Sequence, residues 1–152
     1  MGCQVPSLDL GISAAHIYRV KMFTAESANR TLPLVSRIVG DIVSQHARWR
    51  QTCDEYELLA GSVRADRPDP RAATAEMEME RLAREIDSYE RELDELGIIL
   101  KDRQAGLVDF PGELEGRVVL LCWRLGESAV TWWHEVDAGY AGRQRLQPHA
   151  VA

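Results

Sequence analysis

The sequence has too few cysteines, at the wrong spacings, for a disulfide framework or a paired-thiolate zinc site. Cys3, Cys53 and Cys122 are odd in number and share no repeat, so reduced thiols are expected. Long apolar runs are also missing. The longest, Val118 to Trp123, is far short of the ~20 residues that span a bilayer. The first residues lack the basic start and sustained apolar stretch of a secretory signal. Pro6 stands where a myristoylation pattern wants Ser or Thr. A cytoplasmic location is therefore expected. Positive charge is the minority: 18 Lys and Arg against 24 Asp and Glu, for a net charge of -6. Such a chain offers no general attraction to nucleic-acid phosphates or anionic lipid, so neither nucleic acid nor membrane is an expected partner.

What is present suits one folded domain of 152 residues, with 45% hydrophobic and 28% charged residues. Residues 1–21 show no packing period and read as a disordered extension or an over-long start. Order begins at Met22, with Thr24 as an N-cap and Glu26 in a first helical turn. Thr24 to Thr31 reads as a short helical turn, and Pro33 as the first turn of a separate long helix ending near Ala60. Along it Val35, Ile38, Val39, Ile42, His46, Trp49, Cys53, Tyr56 and Leu59 form one apolar stripe. After Gly61 a polar stretch with two prolines, Pro68 and Pro70, turns the chain. A second helix then places Met79, Leu82, Ile86, Tyr89, Leu93 and Leu96 at the alternating three and four steps of a coiled-coil seam. Neither stripe can hide alone, so the two helices are expected to pack antiparallel.

Periodicity changes at Gly97. Ile98 to Leu100 and Leu107 to Phe110 are β-like, and Phe110-Pro111-Gly112-Glu113 reads as a type II turn. Arg117–Arg124 and Ala129–Glu135 flank Leu125-Gly126-Glu127-Ser128, a hairpin signal. The glycine-punctuated DAGYAGR loop follows, and the tail from Gln144 reads as frayed. The expected fold is α+β, mainly α: a long antiparallel, coiled-coil-like helical hairpin (22–97) with a small C-terminal antiparallel β unit (98–146). Residues 22–146 make a single domain and 147–152 a frayed tail.

The segments FTAESANRTLP, GLVDFP, VVLLCWRLGE and WWHEVDAGYAGR, in this order around a coiled-coil-like middle, resemble a bacterial family catalogued as a domain of unknown function, number twenty-two zero three. The likeness runs from Phe23 to about Leu146. Its pattern falls on Asp109, Phe110, Pro111, Cys122, Trp123, Gly126, Glu127, Trp133, His134, Gly139, Gly142 and Arg143. The resemblance marks a place and implies no reaction.

The chemistry-bearing residues gather in that last third. Cys122 and His134, with Glu127 and Asp109 near, are types that bind zinc, copper or iron, though their spacing matches no standard motif. Loop parity decides whether Cys122 and His134 meet. An even hairpin loop puts them on opposite faces, and an odd loop or a bulge at Gly126 makes them diagonal neighbours on one face. The plain alternative for Cys122 is a small buried hydrophobe, and for His134 and His46 a hydrogen-bonded structural histidine. Arg143 can present its guanidinium to a carboxylate or phosphate, or pair internally with Asp137, Glu135 or Glu127. Trp123, Trp132 and Trp133 are core or line a ligand pocket, and the adjacent Trp132 and Trp133 must point to opposite faces.

Two readings of function follow. In the first, the helical hairpin recruits a protein partner or a second copy in a non-enzymatic scaffold, because no convergent catalytic set is visible and no cofactor is implied. In the second, Asp109, Glu127, His134 and Arg143 form a small-ligand site, or Cys122 and His134 a metal site, in the β unit, with enzymatic activity a possible extension. Either way, Asp109, Glu127, His134 and Arg143 are expected to cluster at one end of that unit.

Overall fold

The computed structural model describes residues 21–61 and 66–147. The expected extension and frayed tail lie outside these residues, except for Lys21 and Gln147. Helix α1 runs Ala25–Gly61 and α2 runs Pro70–Glu95. A five-stranded antiparallel meander follows: β1 (Ile99–Asp102), β2 (Leu107–Leu114), β3 (Arg117–Arg124), β4 (Trp132–His134) and β5 (Gln144–Arg145).

Helix α1 opens with reciprocal capping bonds, Ser27 N–H to Thr24 Oγ1 at 3.0 Å and Thr24 N–H to Ser27 Oγ at 2.9 Å. It then continues without a break for 37 residues, about 55 Å at 1.5 Å per residue. The separate first turn expected before Pro33 is thus corrected: Pro33 lies inside the helix. An interior proline costs a backbone bond and strain of about 3 kcal/mol. Burial of Ala28, Leu32 and Val35 on either side of Pro33 offsets it. Helix α2 starts on Asp69, whose carboxylate accepts from Arg71 N–H at 2.9 Å, with Pro70 at its first position. It ends in a Schellman motif, with Ile98 N–H bonded to Leu93 O and Gly97 N–H to Asp94 O.

The stripes face each other antiparallel, as expected. The first half of α1 (Leu32, Val35, Ile38, Val39, Ile42) joins Leu93 of α2 and one face of the sheet in the main core. The second half forms a smaller cluster of Trp49 and Cys53 with Leu82 and Ile86. The hairpin therefore has a proximal half covered by sheet and a distal half that projects as a two-helix arm. Tyr56 and Tyr89, expected between the helices, are half-buried.

Two β-unit expectations are corrected. Pro111 and Gly112 are not a turn but lie within β2, and the reversal comes at Glu115 (φ 52°) and Gly116 (φ 75°). Both residues of this two-residue hairpin need positive φ, so the Glu-Gly pair was its signal. Pro111 is tolerated in a strand paired along its length with β3 because its backbone edge points away from β3. Its carbonyl accepts from Phe23 N–H at 2.7 Å, and its nitrogen shares that edge. Phe23 bridges Gly112 in parallel, and a Cβ on Gly112 would stand 2.7 Å from Phe23 O. Glycine is what lets Phe23 dock there, buried edge-on against Phe110 with ring centroids 5.2 Å apart. Nor is the tail frayed from Gln144. Gln144 and Arg145 pair with Trp133 and Trp132, and Leu146 N–H reaches Thr131 O at 2.8 Å.

Candidate functional site

The sheet has two unlike faces. Val108, Phe110, Val119, Leu121, Trp123 and Trp133 point toward the helices. Asp109, Leu120, Cys122, Trp132 and His134 alternate with them on the opposite face. The β3–β4 register pairs Cys122 with Trp132 and Leu120 with His134. Continued two residues, it sets Arg124 against Val130 across five residues, an odd loop. Cys122 and His134 are therefore diagonal neighbours on one face, and Asp109 lies directly opposite Cys122 on β2. The strand expected from Ala129 shortens to Trp132–His134 because Val130 is held by α1 instead. Its N–H donates to Asn29 Oδ1 at 2.7 Å, and Asn29 Nδ2 reaches Val130 O at 3.4 Å. Nothing in the local sequence marks Asn29 for this role.

At the closed end of the cluster Asp109, Cys122 and His134 are all buried, and their ligand-type atoms lie within 4.8 Å of one another. His134 Nδ1 lies 2.7 Å from the backbone oxygen of Glu135. A carbonyl can only accept, so Nδ1 carries the proton and Nε2 is turned inward. Nε2 lies 3.1 Å from both oxygens of Asp109. That hydrogen bond raises the His134 pKa above 6.5 against the opposing effect of burial. With Nδ1 already protonated, a shared proton between Nε2 and the Asp109 carboxyl completes the pair. Burial, and then the negative charge of Asp109, push the Cys122 thiol up to about 12. It is a protonated thiol, not a poised nucleophile.

At the open end, Glu127 sits in the hairpin turn. Its Oε2 accepts from Arg124 N–H at 2.9 Å, and its backbone carbonyl accepts from the Trp123 indole at 2.9 Å. Its Oε1 lies 2.8 Å from Arg143 Nη1, an ion pair without the angle of a directed hydrogen bond. Of the internal partners considered for Arg143, Glu127 is the one taken, while Glu135 pairs with Arg117. The Arg143 guanidinium is clasped between the rings of Trp132 (4.5 Å) and Tyr140 (4.4 Å) and lies beside Cys122. Trp132 thus serves the outer face, whereas Trp133 and Trp123 are core.

The four expected residues come together in two pairs, Asp109 with His134 and Glu127 with Arg143. Cys122 joins them, opposite Asp109 on the ladder and beside Arg143. His46 stays apart, half-buried and stacked on Trp49 at 6.1 Å, its pKa lowered by burial and by Arg103. Residues 21–146 match the family described as uncharacterized conserved protein DUF2203. The chain belongs to that family. No curated protein and no solved structure gives a significant match.

Proposed function

We propose that this member of the DUF2203 family binds a borderline transition-metal ion, zinc or a close analogue, through Asp109 carboxylate, Cys122 Sγ and His134 Nε2. One observation carries the reading: three ligand-type atoms from three strands converge within 4.8 Å in a buried site. The inward turn of His134, fixed by the Glu135 carbonyl, is the support metal-binding histidines usually have. A thiolate with an imidazole and a carboxylate suits zinc, cobalt or ferrous iron far better than magnesium or calcium. A tetrahedral ion with bonds of about 2.0–2.3 Å holds its ligands about 3.3–3.8 Å apart, so the widest gap closes by about 1 Å on binding. Metal takes the place of the Cys122 proton and of one His134 proton, so affinity rises with pH. The same groups can satisfy one another without metal. Against that bland role stands the cost of burying a thiol, an imidazole and a carboxylate where apolar side chains would pack better.

The test is equilibration of the full chain with Zn2+ or Co2+ followed by gel filtration. The expected result is one metal per chain, with a thiolate-to-Co2+ charge-transfer band that C122S and H134Q both abolish. Wild type emerging without metal, or C122S retaining it with the band intact, overturns the proposal.

A scaffold role for the arm is the second reading. It is favoured by Leu58 (76% exposed) and Met77 (70% exposed) near its far end. Loss of self-association in L58S/M77S, read by sedimentation, is its signature, and a wild type monomeric at all concentrations removes the second-copy version.

A further inference from the structure

The metal site has three protein ligands, and a tetrahedral ion needs a fourth. Asp109 and His134 close one end of the cluster, and Arg143 stands at the other, beside Cys122. Its side chain is 17% exposed, and Tyr140, one wall of its clasp, is 39% exposed, so this end borders solvent. The clasp holds the guanidinium plane fixed, which is what two-point recognition of an oxyanion requires. Arg145 lies over the other partner of the clasp, Trp132, at 5.4 Å. Two arginines thus gather on Trp132, and of the two Arg143 is paired with a carboxylate, Glu127, on a chain whose net charge is -6. Nη1 of Arg143 is buried 2.8 Å from Glu127 Oε1, and the guanidinium has five N–H donors, more than this one carboxylate contact uses.

We infer that this site takes a small oxyanion, a carboxylate or a phosphate, with one oxygen on the fourth metal position and another on the guanidinium of Arg143. The inference rests on the metal reading above. Arg143 acts as the anion-recognition residue and Glu127 as its positioning residue, since Glu127 is itself fixed by the Arg124 N–H. The ligand is a small molecule and not a protein side chain, because the three metal-binding groups are buried and the Arg143 side chain beside them is only 17% exposed.

The experiment uses the Co2+-loaded full chain, titrated separately with oxalate, acetate and inorganic phosphate at constant ionic strength. The expected result is a saturable shift of the visible cobalt bands, which reports a new inner-sphere ligand. Oxalate acting well below acetate identifies a carboxylate class, and phosphate acting first identifies a phosphate class. R143Q is expected to keep Co2+ and to bind the anion about tenfold more weakly or worse, the loss of one charge-assisted pair. R143K, which keeps charge without the planar fork, is expected to fall between. Cobalt bound normally but spectra unmoved by every anion, or R143Q responding like wild type, overturns the inference and leaves the metal reading standing. If wild type takes no cobalt, both fall. If R143Q unfolds, R143K against wild type decides the matter by the same shift.

Discussion

Replacing Asn29 with alanine tests whether the α1 clamp on the β3–β4 connection holds the register that assembles the site. Asn29 Oδ1 is the acceptor for the N–H of Val130, a residue only 2% exposed, at 2.7 Å, whereas the return bond from Nδ2 to Val130 O is long at 3.4 Å. Leaving a buried N–H unsatisfied costs about 1–3 kcal/mol. Alanine returns roughly 0.5 kcal/mol of helix propensity at this position. N29A should therefore lose about 1.5 kcal/mol, which for a chain of this length lowers Tm by about 3–6 °C. N29D keeps the accepting oxygen but loses the Nδ2 bonds to Ala25 O at 2.8 Å and Val130 O at 3.4 Å, so it should lose about 0.5–1.5 kcal/mol while holding the β3–β4 register. Urea unfolding with an unchanged m-value is the assay. Metal affinity supplies a second readout, because slackening at Val130 frees β4 to slip and His134 to leave the Cys122 face. N29A as stable as wild type, or N29D losing metal affinity as fully as N29A, would refute the account of the clamp.

G112A sets a Cβ 2.7 Å from Phe23 O and should detach the Phe23 segment. Losing a buried phenylalanine's packing costs about 2–3 kcal/mol, and tryptic cleavage after Lys21 should accelerate; unchanged stability and cleavage would count against the docking role. Stability of the metal-free protein should also depend on His134, whose folded pKa is raised above 6.5 chiefly by the Asp109 hydrogen bond. A raised folded value means the contribution is whole below the unfolded pKa and is lost as pH climbs through the folded one. Denaturation from pH 6 upward should show that fall in wild type and not in D109N, and equal slopes would remove the pair as its cause.

The linear order of residues determined the helices, their antiparallel meeting and the change to strand at Gly97. Those depend on periodicity, caps and chain-breaking prolines, which act over a few residues. The gathering of chemistry-bearing residues into the last third was legible for the same reason. The meeting of Glu127 with Arg143 follows from a turn and a glycine loop, which aim the side chains they carry, whereas Asp109 and His134 sit inside β2 and β4 and are brought together by strand register. Other features rest on contacts between residues far apart in the chain. Pro111 and Gly112 look like a turn until Phe23 arrives to use their edge. Gln144 and Arg145 look frayed until β4 offers them a partner. Above all, the face on which His134 lies depends on whether the hairpin loop is odd or even, and the loop residues permit both. The side chain of Asn29 captures Val130 from 101 residues away, and the ladder comes out odd. Strand side chains alternate with a period of two, so a single-residue difference in register decides whether Cys122 and His134 share a site or face away from each other.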